Sequence, residues 1–359
     1  MIKTYKNYLI KLFLKKTLTI TSIFFLLIFI LSVFEEITFF KDLNVSFFFP
    51  LLMTFLNTPS TLFEIFPFIF LISTQFFFIE LINKSELEIF KVNGLNNFKI
   101  IKVLFFTSFI LGLLITILFY NFSSKLKFIY LDLKNNYSSD NKYLAVSTEN
   151  GLWIKDEIDN KIYISNASII DNDFLHDVTI SEFDKNFDLI QIIKSKKVDI
   201  SSKRWVVFNP IISKNNNSTI NSESIILMSH FDKDKINSLF ENLSSISLFS
   251  INKLMDDYKE LGYSTLEIKS YLYKLYSLPL FLSIMTVFAS IIMLNIKRSK
   301  PLIFHIILGI MLSVIIYYIT YLFNLFGVGG NVPPLLSVLF PLFILSVIIL
   351  IGLIRINEK

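Results

Sequence analysis

Residues 301–354 contain no Asp, Glu, Lys or Arg. A water-facing element of that length would carry charge, whereas a membrane-crossing helix needs only about 20 mostly apolar residues. The run is long enough to cross a bilayer twice. The turn-forming stretch Gly327-Val328-Gly329-Gly330-Asn331-Val332-Pro333-Pro334 divides it into two spans. Such a hairpin narrows the fold sharply, because lipid offers no partner for a backbone N–H or C=O left unpaired.

Four earlier segments fit the same template. Residues 17–34 are uncharged and followed by Glu35 and Glu36. Basic residues precede this run, as in a signal peptide, but it is long and no small-x-small cleavage site follows, so it reads as span one. From 43 to 79 only Glu64 is charged, with Pro50, Pro59 and Pro67 as punctuation. The cluster Asn57-Thr58-Pro59-Ser60 predicts the start of span two, about 60–82, with 44–57 as an interfacial helix. Residues 103–124 and 275–296 supply spans three and four, and 301–354 supplies five and six. The composition agrees: 53% apolar residues and only 18% charged, against about 25% charged in a soluble domain. The chain has no Cys, so disulfide and thiol chemistry are excluded. Phe, Ile, Asn and Lys abound while Ala is scarce, which reads as codon bias of an AT-rich genome; the 40 Phe carry little functional weight.

Charge sets the orientation. Lys3, Lys6, Lys11, Lys15 and Lys16 precede span one. Lys84, Lys91, Lys99 and Lys102 lie between spans two and three, Lys297, Arg298 and Lys300 between four and five, and Arg355 and Lys359 at the end. With six spans all four groups fall on one side, the cytoplasm, and the net charge of +5 reflects this asymmetry and not a nucleic-acid partner. The opposite loops hold Glu35, Glu36, Lys41 and Asp42, or nothing charged. A polar insert, about 125–270, then lies wholly outside. Its short β-branched and aromatic runs at 143–147, 151–155, 161–165, 178–183, 189–194, 204–208 and 224–228 are separated by turn clusters such as Asp171-Asn172-Asp173 and 214–218. This predicts an all-β sandwich or open barrel. Helical periodicity returns with Ile251, Leu254, Tyr258 and Leu261 on one face.

The segment Ser85-Glu86-Leu87-Glu88-Ile89-Phe90-Lys91-Val92-Asn93-Gly94 stands apart as a short polar piece wedged between spans. Gly94 is a natural helix C-terminal residue. Leu87 and Phe90, three apart, share a face, and an exposed apolar pair beside Glu86 suits a protein groove. The plain alternative is a solvated loop with Glu88 supporting Lys91. No phosphate-binding Gly-rich loop occurs, no Gly-x-Ser-x-Gly elbow, and His176, His230 and His305 do not have zinc-ligand spacing. No catalytic, cofactor or metal residues are therefore expected. His305 inside span five reads as a neutral His bonded within the bundle or snorkelling, and Glu64 as solvated or interfacial.

Read together, these motifs resemble the LptF/LptG permeases of lipopolysaccharide export, across the whole chain. Ser85-Glu86-Leu87 and Gly94 match a Ser-Glu-Leu-x-x-x-(Arg/Lys)-x-x-Gly pattern. Gly151-Leu152-Trp153-Ile154-Lys155-Asp156 resembles the strand opening the outer domain of the LptG branch. Leu248, Leu254, Tyr258, Leu261 and Gly262 resemble its connector helix, and Tyr271, Leu272, Lys274, Pro279 and Leu280 the start of its span four. Val332-Pro333-Pro334 and Pro341 match its last hairpin. Two departures stand out: the region 90–92 is bulkier than the usual small residue, and of the basic tract outside span one only Lys41 remains.

The resemblance implies a helical membrane protein with an inserted β-jellyroll-like domain. Transmembrane half one would cover 1–124 with a cytoplasmic coupling helix at about 84–96, the periplasmic domain 125–245, a connector helix 246–270 and half two 271–359. It implies a permease half without ATPase activity, in the bacterial inner membrane. The partners would be an LptF-like permease, an LptB-like ATPase dimer, and LptC-like and LptA-like jellyroll proteins. Glu86, Leu87, Phe90, Lys91 and Gly94 would couple to the ATPase. Phe24, Leu27 and Leu31 of span one and Ile310, Val314 and Tyr317 of span five could line the lipid path, with Lys41 at phosphate level. Two alternatives are the paralogous LptF half and a mechanotransmission protein that moves no lipid.

Overall fold

The computed structural model describes residues 2–41, 43, 45–135, 137, 152–158, 160–171, 173–214, 218–221, 223–233, 236, 242–260, 263–295 and 301–357. The expected strand at 143–147, and Asp42, Gly151, Leu261, Gly262, Lys297, Arg298, Lys300 and Lys359, lie outside the described residues. Two compact units form: residues 1–127 with 266–359, and residues 128–265.

The first unit is helical. Its elements are α1 (Ile2–Phe40), α2 (Phe48–Glu64), α3 (Phe66–Asn83), α4 (Glu86–Val92), α5 (Asn97–Leu114) and the start of α6 (Tyr120–Asn135). After the insert come α8 (Leu266–Leu294), α9 (Leu302–Val328) and α10 (Pro334–Asn357). Among the described residues, six stretches are long and apolar enough to cross a membrane: Tyr5–Phe40, Phe66–Asn83, Asn97–Lys134, Leu266–Leu294, Leu302–Val328 and Pro334–Ile356. Several boundaries move from the sequence reading. Helix α1 runs on through Glu35 and Glu36 to Phe40, and Glu36 is buried, so these two are not loop residues. The 57–60 cluster does not start span two. It sits inside α2, where Thr54 and Thr58 turn their hydroxyls back onto the carbonyls four residues earlier. The break falls at Ile65 (φ −97°, ψ 4°), and Pro67 opens α3, where its missing N–H costs nothing. Span three continues through a five-residue π-turn, Ile115–Phe119, into α6.

The helices pack through small and hydroxyl-bearing residues, as expected where lipid is as apolar as leucine. Ser108 of α5 donates to Thr286 of α8 at 2.9 Å. A Cβ on Gly112 would come within 2.7 Å of the Pro279 backbone, so only glycine allows α5 and α8 to approach this closely. Around them Leu71, Ile101, Met285, Ala289, Leu345 and Ile349 form one apolar cluster.

Among the described residues, the second unit is built on one antiparallel sheet with nine strands: β1 (Leu152–Ile158), β2 (Lys161–Ala167), β3 (Ile169–Asp171), β4 (Phe174–Phe183), β5 (Leu189–Asp199), β6 (Arg204–Phe208), β7 (Ile211–Lys214), β8 (Ser218–Asn221) and β9 (Ser224–Met228). The main path is β1-β2-β4-β5-β6-β9, with β3, β7 and β8 attached at its sides. Strict alternation in β1 sends Leu152, Ile154 and Asp156 inward and Trp153 and Lys155 outward. Although β1 and β9 end opposite sides of this path, the Asp156 carboxylate accepts from Ser229 Oγ and His230 N just past β9, both at 2.9 Å. The sheet therefore curls until its ends meet. A single curled sheet replaces the sandwich alternative. Its interior holds Leu152, Ile154, Val178, Ile180, Trp205 and Phe231, with Tyr258 of α7 (Ile251–Glu260) packed against it.

Candidate functional site

Helix α4 is held by unusual backbone at both ends. Ser85 precedes it at φ 56°, in the left-handed region, where a non-glycine residue costs about 1–2 kcal/mol. Gly94 follows at φ +79°. Its N–H bonds the Lys91 carbonyl and that of Leu95 bonds Phe90, the paired closure of a glycine-terminated helix. Lys99 Nζ then binds the Gly94 carbonyl at 3.1 Å, and Asn96 caps α5 through Lys99 N. A seven-residue helix too short to be stable alone is thus fixed as a stub.

Its faces differ from the sequence expectation. Leu87 and Phe90 are half-buried, and the Phe90 ring lies 6.3 Å from Tyr8 of α1. Tyr8 Oη donates to Glu86 Oε2 at 2.5 Å. The exposed apolar pair is Ile89 and Val92, at 55% and 87%, with Lys91 and Glu88 exposed beside it. Below the stub, Glu80 accepts from Lys16 at 2.5 Å and Lys84 at 2.7 Å, and this carboxylate holds the Lys84 ammonium above its ordinary pKa. The first turns of α1 and the segment after α3 therefore meet at one end of the helical unit.

The six lipid-path residues fall on two weakly covered helices. In α1, Leu27 and Leu31 are exposed and Phe24 is half-buried; in α9, Ile310, Val314 and Tyr317 are exposed. Lys41 is exposed directly after the end of α1, where a cation also suits the helix C-terminus. Helix α9 buries only His305, Gly309, Ser313 and Gly327. The His305 carbonyl accepts from Gln75 Nε2 at 2.9 Å, and its ring faces the Pro301 carbonyl. Gln75 is fully buried against Gly309, where any Cβ would collide with its amide. Glu64 is exposed, at the α2–α3 break. Sequence reasoning missed Gln75, whose signal is a lone amide in an apolar span.

In the β unit, Asp156, Ser229 and His230 converge, with His230 Nδ1 2.8 Å from Asp156 Oδ1. Ser229 donates to the carboxylate and not to the imidazole, so the group is a staple and not an activated nucleophile. This gives the final Asp of the Leu-Trp-x-Lys-Asp strand a physical role. Trp153 is half-exposed, and Tyr263 Oη donates to its carbonyl.

The family described as lipopolysaccharide export system permease LptF/LptG matches residues 7–355. No curated protein matches the chain.

Proposed function

The chain belongs to the LptF/LptG family of lipopolysaccharide export permeases, a multi-pass inner-membrane family of ABC transporter subunits without catalysis of their own, and from that premise we propose that it is the LptG-type half. It pairs with an LptF-like permease above an LptB-like ATPase dimer and hands lipopolysaccharide to LptC-like and LptA-like proteins through a periplasmic β domain. Trp153 in its strand motif and the connector at 248–262 favour LptG over LptF. Both termini and α4 lie in the cytoplasm. A cysteine at Asn93 stays unlabelled by an impermeant thiol reagent in spheroplasts, while cysteines at Lys185 and Ser201 react; the reverse pattern rejects this topology.

The observation that carries the coupling role is the stub itself: a short helix pinned at both ends, presenting Ile89 and Val92 beside Glu86, Glu88 and Lys91. Ile89 and Val92 seat in an apolar groove of the ATPase. Glu86 supplies the acidic contact while Tyr8 holds one of its oxygens. Leu87 and Phe90 anchor the stub to α1, and Gly94 ends it. Glu86→Arg loses this contact and adds repulsion, about 2–5 kcal/mol, so the ATPase subunit is lost on purification. Full retention of the ATPase rejects docking through this helix.

Extraction of the cargo moves acyl chains past water at about 0.8 kcal/mol per CH₂, which demands an apolar wall. The exposed faces of α1 and α9, with Phe24, Leu27, Leu31, Ile310, Val314 and Tyr317, provide one. Lys41 meets a headgroup phosphate as a point charge. Lys41→Glu then weakens crosslinking of lipopolysaccharide to probes at Leu31 and Tyr317; unchanged crosslinking makes Lys41 an interfacial anchor only.

A further inference from the structure

A cavity of about 120 Å³ opens between the α2–α3 break and helices α8, α9 and α10, all within the helical unit. No α1 residue lines it, and it shares Tyr317 with the α9 face. Glu64, Lys274 and Asn324 line it, and so do Leu278, Phe281 and Leu342. Helix α3 ends at Asn83, α8 ends at Leu294 and α9 begins at Leu302. At 1.5 Å per residue, Lys274 and Asn324 lie about 30 and 33 Å along α8 and α9 from those ends, and Phe66, which opens α3 two residues after Glu64, lies about 26 Å along α3 from Asn83. That is about the thickness of the hydrocarbon core. The three therefore share one level, at the outer headgroup boundary, while Leu278, Phe281 and Leu342 lie deeper, at acyl-chain level.

The acid and the base in this cavity are not spent on each other. Among the described residues, the side chains of Glu64, Lys274 and Asn324 make no ion pair or hydrogen bond, and Glu64 and Lys274 are exposed. Tyr271 and Tyr317 line the same cavity as Glu64, so aromatic rings share the space with the carboxylate, a surrounding that suits an organic ammonium. A ligand carrying only phosphate would gain at Lys274 and lose at Glu64. A ligand carrying both charges satisfies both.

We propose that this cavity binds the headgroup of a zwitterionic glycerophospholipid, its ammonium on Glu64, its phosphate on Lys274, and an acyl chain against Leu278, Phe281 and Leu342. The proposal rests on the membrane crossing of these helices and not on which lipid is exported.

The test uses the intact permease–ATPase complex in nanodiscs of equimolar phosphatidylethanolamine and phosphatidylglycerol, followed by release into mild detergent and native mass spectrometry. Retained phosphatidylethanolamine is expected on the wild type. Its retention falls about tenfold in Glu64→Gln and in Lys274→Gln, as the loss of one charge-assisted contact dictates, with the ATPase subunit still bound as the check on folding. Equal retention of the two lipids overturns the proposal, as does unchanged retention in both variants. Preferential retention of added lipopolysaccharide at the site also overturns it. Since the readout is bound lipid, its failure leaves the export reading intact, and failure of the Glu86→Arg test leaves this one intact.

Discussion

Helices α3 and α8 have 67% of their most apolar window buried, while α1 and α9 have 17%. The well-buried pair is the less apolar one: α3 carries Ser73, Thr74 and Gln75 inside, α8 carries Ser283, Thr286 and Ser290. The sparsely buried pair has the more apolar windows, with a mean hydropathy of 2.5 in each against 1.6 and 2.2. In water the ranking would be reversed. In a bilayer hydrophobicity does not drive helix to helix, so fit and hydrogen bonding select the interior, and the greasiest surfaces are left for lipid, for cargo or for a second permease.

That contrast can be broken by substitution. The largest effect belongs to the buried pair: Phe77→Ala, which removes a fully buried ring lying edge-on to Phe13 and Phe78, costs about 3–5 kcal/mol. Leu31→Ala, at 59% exposure, changes the melting of the solubilised complex little. Equal losses at the two sites would erase the distinction. Next comes Gly309→Val, which overpacks the narrow stripe by about 1–3 kcal/mol, while Met311→Val two residues on is neutral in the same melt. In the β unit, Asp156→Ala removes the acceptor of half-buried Ser229 and exposed His230, about 0.5–1.5 kcal/mol, read as faster proteolysis between residues 152 and 230. The smallest effect is Gly94→Ala. Nothing crowds a Cβ there, so the cost is conformational, about 1 kcal/mol, seen as faster amide exchange at Gly94 and Leu95.

The spans were legible because charge is the signal lipid selects against, and its absence over 301–354 admits little else. The start of α3 was not. Pro59 and Pro67 look alike in sequence, but only Pro67 follows a residue that leaves helical geometry, Ile65. Strands β3, β7 and β8, of three or four residues, are too short to alternate, although the turns beside them were readable. The outward face of α4 was also hidden. Leu87/Phe90 and Ile89/Val92 have the same spacing, and the choice between them is made by Tyr8, 78 residues from Glu86. Local pattern identifies an element, whereas a distant partner decides which side of it is free.

The Asp156 staple ties the first described strand to residues 73 and 74 positions later. During synthesis β1 can pair with β2 at once, since a tight turn joins them, but its inward carboxylate must wait for nearly the whole domain to appear. Closure of so long a loop is the slow kind of event in a β fold. Until it happens, the inward face of the first strand, with Leu152 and Ile154, is not yet covered, and a chain delayed between β8 and β9 exposes that face for as long as the delay lasts. The acid at position 156 thus acts as the clasp that ends the domain's aggregation-prone phase.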